Sequence, residues 1–241
     1  MGILTEIIAW FTDPGNWEGA NGVPARAVEH LWYSAASFAI ALIIAVPVGL
    51  WVGHTDRGGT VAVNLANVGR AVPSFGIIVL MFVYFGLGFA PVLVALVAFA
   101  VPPMLTNTYT GVRDVDPEVR DSAEGMGMRG GQVLWHVEVP VAMPLIMAGV
   151  RTSAIQVVAT ATLAAVVGLG GFGRYIINGF AVQDYPQMVG GAVLVAVLAL
   201  LVEGVLAFLQ RLVVSDGVAG ESAEIVAKAR SQLRPAASTS S

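Results

Sequence analysis

Few side chains in this 241-residue sequence could do chemistry, and their spacing excludes most kinds of it. There is no cysteine, which removes thiolate nucleophiles, disulfides and cysteine-ligated metal centres together. His30, His54 and His136 offer no paired metal-ligand spacing, so no metal site is expected and each reads as an interfacial residue. No Gly-x4-Gly-Lys-Ser/Thr phosphate loop occurs and the sole lysine is Lys228, so the chain itself should not bind ATP in the usual way. No paired carboxylates or Ser-His arrangement stand at a useful spacing, which argues against an enzyme. The run from Gly168 to Gly173 (Gly-Leu-Gly-Gly-Phe-Gly) lacks a following acidic ribose ligand and reads as a flexible helix end. What remains is recognition and charge within apolar surroundings. Arg151 and Glu203 each interrupt an apolar stretch, and a charge at mid-helix in a bilayer costs about 2.5 to 3.5 kcal/mol, so each must face protein or water. They could form an ion pair or snorkel separately. Asn107, Thr108, Gln156 and Thr160 could line a polar pathway or hydrogen-bond between helices. Trp32, Tyr33, Trp51, Phe75 and Tyr84 could hold a quaternary ammonium group by cation–π contact or anchor helices at the membrane interface.

The elements that must position these residues follow from composition. The chain is 56% hydrophobic and 12% charged, whereas a soluble domain carries about 25% charged residues. Its net charge of -4 has the wrong sign for non-specific nucleic-acid binding. Formal charge is absent over 31–53, 71–112, 152–173 and 185–202, so an all-α polytopic membrane protein is expected. The spacing predicts five spans, near 28–53, 61–85 (interrupted at Arg70 and Pro73), 90–109, 140–168 and 188–212, or six if the fourth is split. Segment 74–85 alone would reach only about 18 Å, too short for a hydrocarbon core of about 30 Å.

Three regions result: an amphipathic N-terminal segment (1–27) lying on the membrane, a transmembrane domain (28–212) and a polar tail (213–241). Basic residues are retained on the cytoplasmic side. Arg57, Arg113, Arg120, Arg129, Arg211, Lys228, Arg230 and Arg234 fall on one predicted side, against Arg26 and Arg174 on the other. The N terminus is therefore expected outside a prokaryotic cell membrane, with the 111–139 loop and the C terminus in the cytoplasm.

That loop is the chain's densest run of charge. Asp116 precedes Pro117 as a helix N-cap, a helix is predicted from Pro117 to about Gly125, and Gly125 and Gly127 supply freedom for a sharp turn. A second short helix is expected over about 131–137, returning to the membrane at Pro140. The sequence Asp121-Ser122-Ala123, three residues, Gly127, nine residues, then Val137-Glu138-Val139-Pro140 resembles a known pattern at every spacing. The pattern is Glu-Ala-Ala, x3, Gly, x9, Ile-x-Leu-Pro, which marks the permease subunits of ATP-binding cassette (ABC) importers. Segments 70–74, 103–112, 125–128, 144–152 and 168–173 further resemble the glycine betaine, carnitine and choline group of these permeases, and the likeness spans about 31–209.

The resemblance implies a type I importer permease core with a cytoplasmic coupling-helix loop, in which Asp121, Ser122, Ala123, Gly125, Gly127, Val137 and Pro140 serve ATPase coupling. It implies as partners a cytoplasmic ABC ATPase that binds ATP and magnesium, a second permease subunit, identical or related, and an extracytoplasmic substrate-binding protein. The expected function is import of quaternary-ammonium osmoprotectants. The alternatives are a permease for methionine or another amino acid, and a stand-alone channel or secondary transporter.

Overall fold

The computed structural model describes residues 2–64 and 73–214. Most of the expected 213–241 tail, most of the 61–72 interval and the basic residues Arg70, Lys228, Arg230 and Arg234 lie outside them. Among the described residues the fold is helical, with no strand.

A short helix α1 (Ile3–Thr12) precedes the longest one, α2 (Val23–Thr55), which starts with Pro24 in its first turn, where a missing N–H costs nothing. α2 thus begins inside the segment assigned to the N-terminal region. Next come α3 (Ser74–Phe85), α4 (Phe89–Arg113) and α5 (Pro117–Gly125), the helix of the polar loop. α6 (Gly130–Val133) runs through a π-helical turn (Leu134–Glu138) into α7 (Val139–Thr160), which tightens into a 3-10 turn (Ala161–Val167). α8 (Gly173–Val182) and α9 (Tyr185–Val213) are the last elements of the described residues.

Among the described residues, four stretches are long and apolar enough to cross a membrane: Val23–Thr55, Phe89–Arg113, Gly130–Val167 and Tyr185–Val213. Of the expected second span (61–85), the described residues show helix at 61–64 and the 12-residue α3, closed by Gly86 at φ 78°, while 65–72 lie outside them. One expectation is corrected and one element is added. The short helix expected over about 131–137 is not separate, since 130–160 is continuous; the π turn opens the backbone where the ring and missing N–H of Pro140 would break an α-helical one. The interval between the expected fourth and fifth spans contains α8. Its glycines hid it, but a Cβ at Gly173 would lie 2.0 Å from the Thr162 carbonyl oxygen and one at Gly179 2.7 Å from the Met188 nitrogen. Close packing, not weak helix propensity, selects glycine at both.

The core sits where α2 lies along α4 and α4 along α7. Ala41, Ala45, Ala95, Ala100 and Ala161 surround Leu96, Phe99 and Met104 there. Small side chains let backbones approach, which is how helices gain van der Waals contact in lipid, where no hydrophobic force draws them together. Trp32 and Trp51 are both exposed on α2, 19 residues apart. At 1.5 Å per residue their separation is about 28 Å, close to the hydrocarbon thickness, which favours interfacial anchoring over an aromatic cage. The amphipathic α1 presents Ile3, Leu4 and Ile8 outward and docks through Trp10, edge-on to Tyr175 at 5.3 Å, against α9.

The close approach of α2 to α4 depends on Gly49, where a Cβ would lie 2.7 Å from Thr108 Cβ and 3.1 Å from the Leu105 carbonyl oxygen. Gly49→Val should cost roughly 1 to 3 kcal/mol by overpacking and lower the melting temperature in detergent. Gly204→Val, at a glycine with open space around it, should leave the melting temperature unchanged. Equal melting of both variants would contradict this packing.

Candidate functional site

The polar loop is built from local backbone chemistry. The Asp116 side chain accepts from the Glu118 N–H at 2.8 Å, capping α5 as expected. At the other end Gly127 adopts φ 88°, its N–H donates to Glu124 O at 2.8 Å, and the Met128 N–H donates to Ala123 O at 3.2 Å. This paired arrangement is a Schellman cap, and it requires a left-handed residue four positions after Ala123. The Ala-x3-Gly spacing of the motif is thus the spacing of a helix stop. Ala123 is 2% exposed and holds α5 against the bundle, while Asp121, Ser122, Gly125, Val119 and Met126 face outward. Ser122 Oγ donates to Glu118 O within the helix. Val137 is half-buried and Pro140 exposed, one helical turn apart at the foot of α7.

Beneath α5 lies a charge that the spacing argument passed over. Glu138 is 1% exposed, with Oε1 2.9 Å from Arg120 Nε on α5 and Oε2 2.7 Å from His54 Nδ1 in the last turn of α2. Arg120 also donates from Nη2 to the carbonyls of Val112 and, at 3.4 Å, Arg113. His54 is therefore a hydrogen-bond partner of Glu138 at the end of α2 rather than a free interfacial side chain. The available signal was a carboxylate flanked by Val137 and Val139 at the head of a span, where only a buried partner makes a charge tolerable.

Arg151 and Glu203 meet. Arg151 Nη2 contacts Glu203 Oε1, and Nη1 donates to Gln210 Oε1 at 2.6 Å, tying α7 to α9. Both side chains are about one-quarter to one-third exposed, and the pair replaces the two separate snorkelling side chains. The four pathway candidates do not converge on one cavity. Asn107 Nδ2 donates to Pro103 O at 2.8 Å, and its Cβ would be 2.7 Å from one added at Gly149 on α7. Thr108 is fully buried against Gly49 of α2. Gln156 and Thr160 are half-buried, one turn apart on one side of α7.

At the opposite end the glycine run is clamped, not flexible. Glu29 Oε2 accepts from Arg26 Nη1 and from the Gly171 N–H, each at 2.7 Å. A Cβ at Gly170 would sit 1.9 Å from Glu29 Oε2. His30, expected at an interface, is fully buried: Nδ1 accepts from the Phe172 N–H at 3.3 Å, so Nε2 carries the proton and donates to Val158 O at 2.9 Å. The Tyr175 hydroxyl donates to Asn21 O at 2.6 Å. α2 is therefore fastened by Glu29 and His30 to the glycine run at Gly171 and Phe172 and to α7 at Val158, and to the loop end by His54.

Residues 31–216 match the family described as binding-protein-dependent transport system inner membrane component. The chain is 38% identical over 192 residues to the glycine betaine/carnitine/choline transport system permease protein OpuCB of Bacillus subtilis, covering 80% of this chain and 88% of that one. It is 36% identical to the carnitine transport permease protein OpuCB of Listeria monocytogenes, over 77% of this chain and 85% of the relative. In fold it is similar to the inward-facing MetNI methionine ABC transporter, with TM-score 0.69 at 22% identity, covering 85% of this chain and all of that one.

The Arg151–Glu203 contact predicts a specific rescue. Arg151→Glu or Glu203→Arg alone juxtaposes like charges at membrane depth and should reduce membrane abundance several-fold, and the double exchange should restore most of it. Quantitative immunoblotting of membrane fractions reads this directly. A double exchange no better than either single reversal would contradict the pairing.

Proposed function

The chain belongs to the binding-protein-dependent transport system inner-membrane component family, and on that footing we propose that it imports quaternary-ammonium osmoprotectants such as glycine betaine, carnitine and choline. It is a multi-pass membrane permease subunit of an ABC importer. The observation that carries the substrate proposal is the 38% identity to a permease of that substrate group, spread over most of both chains. The methionine alternative rests on likeness of fold at 22% identity, which carries no substrate information. Membership of the family also replaces the stand-alone channel and secondary-transporter alternatives.

In the proposed mechanism α5 docks in a groove of a cytoplasmic ATPase subunit, which binds ATP and magnesium; this chain performs no hydrolysis. Its outward side suits that role, because exposed Val119 and Met126 offer apolar contact between the polar residues Asp121 and Ser122. The orientation follows: Arg57, Arg113, Arg120, Arg129 and Arg211 all gather at the end of the bundle that carries α5, which is assigned to the cytoplasm, with α1 outside. A second permease subunit completes the pathway, to which Gln156 and Thr160 are the best-placed contributors. An extracytoplasmic binding protein delivers the substrate to the α8–α9 end. Closure of the ATPase then displaces α5, and the helices tilt between inward-facing and outward-facing states.

Two measurements test this reading. Proteoliposomes holding this chain, its ATPase and its binding protein should take up labelled glycine betaine, carnitine or choline only with ATP; uptake without ATP, or of methionine in preference, would contradict it. Gly127→Pro, which cannot reach φ 88°, and Asp121→Lys should each lower ATP-driven uptake about tenfold, equivalent to roughly 1.4 kcal/mol, at unchanged membrane abundance. Normal uptake by both variants would sink the docking role of α5.

A further inference from the structure

Glu138 is the most deeply buried charged side chain among the described residues. Its two carboxylate oxygens reach two different helices: Oε1 meets Arg120 on α5 and Oε2 meets His54 on α2. Because Arg120 also holds the carbonyls of Val112 and Arg113, the feet of α2, α4 and α7 and the whole of α5 converge on one carboxylate and one guanidinium. The residue occupies the unspecified position of the Val137-x-Val139-Pro140 motif, so the coupling assignment gives it no role.

Stability alone is a poor account of this arrangement. A buried ion pair seldom improves on an apolar replacement of similar volume, since desolvation offsets the attraction. What it supplies is a fixed geometry, and the backbone around α5 lacks one. α5 is joined to α6 through Gly125, Gly127 at φ 88°, Gly130 and Gly131, and to α4 through the short turn at Asp114 to Asp116. A push on α5 carried by the backbone alone would be absorbed by rotation at those glycines.

We propose that Glu138 is a positioning residue that makes α5 and the feet of α2 and α7 move as one body, so that displacement of α5 reaches two long helices at once. The inference rests on the coupling role proposed for α5. Through His54 the push enters α2 directly, and α2 carries it to the Glu29 and His30 contacts at the far end of the bundle. Through the π turn the same carboxylate moves the start of α7.

The test compares ATP hydrolysed with substrate imported in the reconstituted complex of permease, ATPase and binding protein. Glu138→Gln keeps the side-chain volume and removes the charge. It should assemble with the ATPase and hydrolyse ATP at the wild-type rate, while ATP consumed per substrate imported rises at least about fivefold, within the range by which coupling residues act. His54→Gln, at a more exposed site, should raise the ratio in the same direction by less and serves if Glu138→Gln does not assemble. A merely structural role would lower assembly, hydrolysis and import in proportion, and an unchanged ratio in the assembled variants would overturn the proposal. Wild-type complex that imports without the ATPase would overturn the coupling reading itself, so the two failures are distinguishable.

Discussion

In hydrocarbon there is no water to satisfy a polar group, so each one must be answered by the protein or moved to an interface. The charged and imidazole groups named above follow that constraint, while the buried hydroxyls of Ser34, Ser37, Thr106 and Thr108 have no hydrogen-bond partner. Glu138 is answered by Arg120 and His54, Arg151 by Glu203 and Gln210, Glu29 by Arg26 and the Gly171 N–H, and His30 by two backbone groups. Apart from the Arg26–Glu29 pair within α2, these answers join separate elements, so the rule that permits burial also decides which helices are fastened together. The apolar residues fill the space between, but they do not specify a lever.

The fastenings sit unequally along the bundle. Contacts between its two ends are made by alanines and glycines, with Gly49 under Thr108 and Gly149 under Asn107. The ends of α2 are pinned by charge and directed hydrogen bonds, His54 at one end and Glu29 with His30 at the other. α2 is thus the rod that joins the two ends, with Pro47 inside it at a position that cannot donate to the helical ladder. α5 lies at one end of this rod, and its Schellman cap at Gly127 gives it a defined stop and a flexible exit.

Much of this was legible in the sequence. The helical class, the span limits of α2, α4 and α9 within several residues, and the extent and N-cap of α5 follow from charge-free intervals and from Asp116-Pro117. The motif spacing could be read as a resemblance, and the structure adds its physical content: the Ala-x3-Gly interval is a helix C-cap. The missed elements share a cause. The clamped glycine run and buried His30 are set by contacts between residues more than a hundred positions apart, and α8 by packing of its glycines on Thr162 and Met188, none of which local propensity can register. Glycines at 170, 171 and 173 look like flexibility in one dimension and are close packing in three. Glu138 escaped notice because its flanking motif residues carried the pattern, while its partners lie 18 and 84 positions earlier.

The central claim is that α5 is the surface on which an ATPase acts, and the absence of cysteine makes it directly measurable. Single cysteines placed at Ser122, exposed on α5, and at Phe180, exposed at the opposite end of the bundle, can be cross-linked to the purified ATPase subunit in the assembled complex. The account predicts an ATPase adduct from Ser122→Cys and none from Phe180→Cys. An adduct from position 180 with none from position 122 would contradict it.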